Sequence, residues 1–384
     1  MDKKTENTIV KFLANVADIE DLRQLELWIG NPKHEHLFLD YIKTNGLINI
    51  NMSQYDIEKA KKNIKKRIRQ EKKTFSTIIK YAAASIVVGI LASGYVFKDT
   101  IFNKELPIST PVIVNSIVPG TDKATLTLED GTHIVLEKGA SFQTGNTISN
   151  GEKIIYKNNK EEATTVIKYN YLTIPRGGQF YVKLADGTQV WLNSESQLKY
   201  PISFEAGKTR KVELIYGEAY FDVSPSSAHK GDHFKVYNKN QEINVLGTEF
   251  NIKAYKDEQN IYTTLVEGKV ELNVNGATQY LLPNQQSKLN VNNNLISITK
   301  IDVYNEISWR DGVFSFKNKT LKEIMNVLSR WYDIEVMFSN KKSENEEFMG
   351  VLGKNQKIED ILTTIKNLGI ITDYEIKNNR ILLK

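Results

Sequence analysis

Apolar residues recur at every third or fourth position in the first part of the chain and at every second position in its middle, and that change of period divides it. Ile9, Phe12, Leu13 and Val16 share one face at helical spacing, as do Leu22, Leu25, Trp28 and Ile29. Asn31-Pro32 offers an N-cap followed by proline at a first helical position, which predicts a third helix with Leu37, Phe38, Tyr41 and Ile42 inward. Ser53 to Asp56 has the form of a capping box for a fourth helix, whose apolar line Ile57, Ala60, Ile64, Ile68 is narrow and whose other faces are basic. These signals predict an all-α head over residues 1–74.

From Ile78 to Phe97 the pattern is apolar all round, 20 residues with Lys80 as the only charge. At about 1.5 Å per residue such a helix crosses the roughly 30 Å of a bilayer core, so residues 75–97 are expected to form one transmembrane helix. A signal peptide would stand at the N-terminus, and a buried core helix is the rival because Ala, Ser and Gly are frequent. The flanks decide between them. Lys59 to Lys80 holds ten Lys/Arg against the single acid Glu71, whereas Lys98 and Lys104 beyond the span are accompanied by Asp99 and Glu105. Positive charge stays on the cytoplasmic side, which predicts a single-pass inner-membrane protein with its N-terminus cytoplasmic and residues 98–384 periplasmic.

Residues 98–123, with Pro107, Pro111 and Pro119 and no clear period, read as a spacer. Strand signals follow. The stretches 126–142 and 182–198 share a loose L-x-D-G-T-x-V-x-L pattern, in which Asp-Gly between alternating runs marks a hairpin whose glycine supplies the positive φ of a two-residue turn. From Tyr171 to Leu282 the alternation hardly pauses, and short strands bounded by Gly, Asn or Pro predict an all-β domain over 124–300. Residues 301–384 differ again: WRDGVFSFKNKTLKEIMNVLSRWYDIEVMF reads strand, helix, strand, and a second copy follows 37 residues on, with Phe314, Leu321, Ile324, Leu328 and Ile334 matching Val351, Ile358, Ile361, Ile365 and Ile371. The expected fold class is thus multidomain: all-α head, one transmembrane helix, all-β domain, and an α+β C-terminal domain of two pseudo-repeated βαβ-like units.

Charge sharpens this picture. The net +5 conceals residues 1–58 with six Lys/Arg and ten Asp/Glu, residues 59–97 with ten and one, and a balanced remainder. A nucleic-acid reader carries positive charge on its folded head; this head is acidic, which points to a basic protein partner and to no direct nucleic-acid contact. A head of about 45 residues lies near the lower limit for independent folding, so a bound partner would complete its core. Leu22, Leu25, Trp28 and Ile29 are the candidate contact residues, with Trp28 foremost because large aromatics anchor interfaces.

The blocks TIPRGGQFYVKLADGTQVWLNSESQLKYP, RKVELIYGEAYFDV, NVLGTEFNI and TTLVEGKVEL, in this order and spacing, closely resemble the periplasmic domain of FecR-type anti-sigma regulators. The tail resembles the C-terminal domain attached to many such regulators in bacteria rich in glycan-uptake systems, and is similar in pattern to the short N-terminal domains of secretins and TonB-dependent receptors. The resemblance implies an anti-sigma factor that binds an extracytoplasmic-function sigma factor in the cytoplasm. It also implies that the chain receives a signal from the N-terminal signalling domain of a TonB-dependent outer-membrane transporter, with the tail as a docking module. Membrane lipid completes the expected surroundings. Some members are thought to cleave themselves at a Gly-Thr bond within the third block, which here is Gly247-Thr248.

Little else in the sequence suggests chemistry. There is no cysteine and there are five histidines. His34-x-His36 and His229-x-x-x-His233 approximate metal spacing without a third ligand, Gly177-Gly178 lacks the Lys-Ser/Thr of a phosphate loop, and Ser194-Glu195-Ser196 has no paired base. No catalytic set and no cofactor are expected. The competing reading is a membrane-anchored glycan- or envelope-binding module acting through Trp191, Tyr200, Tyr216 and Tyr220, although aromatics at alternating strand positions are more often core or cross-strand pairs.

Overall fold

The computed structural model describes residues 3–13, 17–31, 34, 37–38, 117–137, 139–144, 147–151, 153–156 and 167–384. They fall into two units, one within Met1–Ser116 and one spanning Ile117–Lys384.

In the first unit α1 (Lys3–Leu13) and α2 (Ile19–Ile29) pack on each other. Asp18 starts α2 with a closed capping box, accepting from the Asp21 amide at 2.8 Å while its own amide donates to the Asp21 carboxylate at 3.2 Å. Lys11 on α1 reaches the same carboxylate at 3.3 Å. Ile9, Ala17, Leu22, Leu25, Ile29 and Phe38 are buried together.

This corrects the expected fold class. Among the described residues strands predominate, the longest helix has 12 residues, and the N-terminal unit shows two 11-residue helices with helical positions at His34, Leu37 and Phe38, so no all-α head stands among them. No helix of the described residues is long and apolar enough to cross a membrane. The physical reason is length: each helix offers one apolar stripe of three turns, enough for a small cluster and far short of a bilayer. The expected fourth helix and the expected span 75–97 lie outside the described residues.

The second unit is built on the strand Arg210–Asp222. Its first half lies between Ser196–Pro201 and Phe234–Asn238 in one sheet, and its second half lies between Gln189–Leu192 and Glu249–Ala254 in another. The register slips between Leu214 and Tyr216, and Gly217 at φ 98° carries the chain across. A side chain at Gly217 would meet Ser196, so glycine is required there twice over. The sheets enclose one apolar core from Ala124 to Leu289, with Leu126, Leu172, Leu198, Leu214, Phe234 and Phe250 fully buried. Both Asp-Gly hairpins form, but with three-residue loops: Leu128 N donates to Thr132 O at 2.9 Å and Leu184 N to Thr188 O at 2.8 Å, with Gly131 and Gly187 left-handed at the third loop position.

The C-terminal domain carries α3 (Tyr304–Ile307), α4 (Leu321–Tyr332) and α5 (Ile358–Asn367). The 37-residue repeat puts Leu321 and Ile358 at the first positions of α4 and α5, both fully buried. The repeats are not closed βαβ units, however. Val313–Thr320 pairs antiparallel with its counterpart Glu347–Gly353, while Glu335–Phe338 runs parallel to Arg380–Leu383 in a separate three-stranded sheet. The copies thus exchange strands, one strand of each joining the two-stranded sheet and another the three-stranded one.

Candidate functional site

Three places were singled out by sequence or structure. On α2, Leu22, Leu25 and Ile29 are 3%, 1% and 1% exposed and belong to the core of the N-terminal unit, so in this form a partner does not reach them. Trp28 packs at the edge of that core and stacks on His34, ring centroids 4.7 Å apart, with His34 Nδ1 3.0 Å from the Trp28 carbonyl. The residue that the helical period assigns to the opposite face, Leu27, is 80% exposed. It stands on a helix whose first turn carries Glu20 and Asp21. Leu27 is thus a large apolar side chain left exposed on this helix.

The second place is the joint between the β sandwich and the C-terminal domain, where the two exchange arginines. Arg176, from the turn before the strand Gly178–Lys183, donates to the Ser329 and Ile334 carbonyls, each at 2.7 Å, and to Asp333 at 3.1 Å, so it caps the C-terminus of α4. Arg330 of α4 reaches the other way to Asp257 at 2.6 Å and Glu258 at 3.1 Å, its guanidinium 3.7 Å from the Tyr255 ring centroid. Gly177 N donates to the Arg330 carbonyl at 2.7 Å. A Cβ on Gly120 would lie 2.6 Å from Trp331 Cε3, so the entering chain fits against that ring only as glycine.

Lys354 completes the joint. It is 4% exposed, its ammonium 3.8 Å from the Trp331 ring centroid and donating to Gln179 Oε1 at 2.6 Å, and Gln179 in turn donates to Asp122 at 2.8 Å. Burial pulls this lysine down to about 7, against the opposing pull of Asp122 and Glu218. Glu218 is itself buried and raised above the usual carboxylate range by desolvation. Sequence reading did not single out Arg176, Arg330 or Lys354, because Arg176 and Lys354 fall at turns and Arg330 on a helix, and the partner of each lies in the other domain.

The third place is Gly247-Thr248. Thr248 is 5% exposed and its hydroxyl donates to the Lys269 carbonyl at 3.1 Å. Gly247 abuts Pro225, and Gly268 at φ 91° is packed against the Gly247 carbonyl so closely that a Cβ would lie 2.9 Å from it. His229 and His233 do not converge: His229 Nε2 meets Ser224 Oγ and His233 Nδ1 meets Asn244, each at 2.8 Å. Among the described residues no group of three or more metal-ligating side chains forms. Of the proposed sugar platform, Tyr200 and Tyr220 are fully buried and Tyr216 is covered by Lys256, 3.5 Å from its ring centroid, so these aromatics do not present a continuous exposed row.

Comparison with known proteins follows the same division. A family model described as FecR protein matches residues 170–271, and one described as FecR, C-terminal matches residues 313–383. Two crystal structures of a candidate anti-sigma factor from Parabacteroides distasonis ATCC 8503, at 1.65 Å and 2.50 Å resolution, are similar to this chain. Each is 28% identical, with a TM-score of 0.50, over 56% of this chain and 98% of the solved one. No curated protein matches.

Proposed function

Since the chain belongs to the FecR family, we propose that it is an anti-sigma factor whose N-terminal unit holds an extracytoplasmic-function sigma factor in the cytoplasm. The unit from Ile117 onward would receive a periplasmic signal from the signalling domain of a TonB-dependent outer-membrane transporter. The observation that carries this reading is the union of a FecR domain and a FecR C-terminal domain in one compact unit, similar to solved candidate anti-sigma factors. The acidic residues 1–58, with ten acids against six bases, and the exposed Leu27 support a basic helical partner on the cytoplasmic side.

Two experiments test it. The full chain, tagged at its C-terminus and co-expressed with an extracytoplasmic-function sigma factor from its own genome, should retain that sigma factor through purification; a chain that retains none of the genome's sigma factors is not an anti-sigma factor. Reporter fusions at both ends should place the N-terminus in the cytoplasm and the C-terminus in the periplasm, and the reverse orientation would remove the two-compartment reading.

A further inference from the structure

The strand Thr121–Thr127 is divided between two partners. Residues 123–127 pair antiparallel with His133–Glu137, and residues 125–127 pair on their other side with Tyr169–Ile174. Leu126, in that stretch, is fully buried in the sandwich core. Thr121 and Asp122 instead pair parallel with Gly178 and Gln179, and neither places an apolar side chain in the core.

The other holds on this entering segment come from the C-terminal domain. Gly120 lies against the Trp331 ring with no room for a Cβ, and the Trp331 indole N–H donates to the Lys354 carbonyl at 2.7 Å. The Thr121 amide donates to the Gly177 carbonyl at 3.0 Å, and the Gly177 amide donates to the Arg330 carbonyl at 2.7 Å, so one glycine links the segment's backbone to α4. Side chains repeat the link. Asp122 accepts from Gln179 at 2.8 Å, and Gln179 accepts from the Lys354 ammonium at 2.6 Å.

We propose that residues 117–122 form a strap latched by the C-terminal domain. While α4 sits on the sandwich, the strap lies along the strand Gly178–Lys183; when α4 lifts, the strap peels as far as Lys123. The Trp331 ring, the Arg330 carbonyl and the Lys354 ammonium all leave with the C-terminal domain. What remains is a two-position ladder at the start of a strand, too short to persist alone. Residues 123–127 stay in place because strands flank them and Leu126 is anchored in the core, and local opening follows the segments with fewest buried apolar contacts. Peeling six residues frees about 20 Å of extended chain and uncovers Ile117, now 6% exposed. The coupling runs both ways, so displacing the strap also loosens α4. Nothing in it depends on a sigma factor.

The test is native-state hydrogen exchange of the full-length protein across a series of sub-denaturing urea concentrations. The Thr121 and Gly177 amides should open in step with the Leu328 amide of α4, with the same urea dependence, and more readily than residues 124–127 of the same strand. Exchange of Thr121 in step with residues 124–127, or out of step with Leu328 in either direction, overturns the proposal in the wild-type protein. Arg330→Ala removes the charged contacts to Asp257 and Glu258 and leaves the backbone carbonyl in place. It should speed Thr121 exchange by about tenfold or more with residues 124–127 unchanged, and an unchanged Thr121 rate overturns the latch. From the other side, Gly120→Ala sets a methyl against Trp331 and should speed the Leu328 amide; an unmoved Leu328 overturns the coupling as well.

Discussion

Two leucines two positions apart on α2 have opposite fates. Leu25 is in the core of the N-terminal unit and Leu27 projects into solvent. Leu25→Ala should therefore cost the unit about 2–5 kcal/mol, read as loss of helical ellipticity, whereas Leu27→Asp should stay within about 0.5 kcal/mol and alter only binding. The sequence period separated the two faces correctly but could not say which face a partner uses, because a leucine that packs inside and one that packs on a partner obey the same spacing. Lys354 shows the same limit from the other side. A lysine in a Gly-Lys-Asn turn reads as solvated, yet it lies under Trp331 with its value lowered to about 7. Since the folded state binds this proton less tightly than the unfolded chain, stability of the second unit should rise between about pH 7 and 9, by at most about 1.4 kcal/mol per pH unit from this group. Lys354→Met should flatten that part of a denaturation-versus-pH curve; an unchanged slope would mean the lysine is not buried as described.

Among the elements, strands and their turns were the most legible. The Asp-Gly pairs announced both hairpins, and only the loop length escaped, because closing at Leu128–Thr132 and Leu184–Thr188 depends on a backbone bond that no side chain signals. The 37-residue repeat likewise fixed where α4 and α5 start, but strand exchange between copies depends on which sheet each strand joins. Local rules still govern these elements. Thr320→Ala removes both the side-chain acceptor of the Glu323 amide and a partner of its carboxylate, and should cost about 1 kcal/mol in urea denaturation. A loss near zero would show that α4 is held by packing alone. The short helices of the N-terminal unit illustrate the opposite case. Their amphipathic stripes were readable, whereas the extent of the head was not, since an apolar stripe does not reveal how many elements share it.

On the scale of the whole molecule, the sandwich and the C-terminal domain are joined by side chains that each domain lends to the other, Arg176 in one direction and Arg330 in the other. Arg330→Ala removes the charged donor to the exposed Asp257 and to Glu258, which keeps Lys253, and should cost about 1.5–3 kcal/mol, splitting one cooperative melt of the second unit into two; a single unshifted transition would show that the joint does not depend on the exchange. No short-range sequence signal reports it, because Arg176 and Arg330 are 154 positions apart. The central claim concerns the other end of the chain, and one paired measurement reaches it most directly: retention of a cognate extracytoplasmic-function sigma factor by the full-length wild-type chain and by Leu27→Asp, with circular dichroism of both. The account predicts capture by the wild type and at least a tenfold loss of affinity, about 1.4 kcal/mol, in a variant of unchanged helicity. Equal capture by both would move the interface off this face of α2, and capture by neither would contradict the anti-sigma assignment itself.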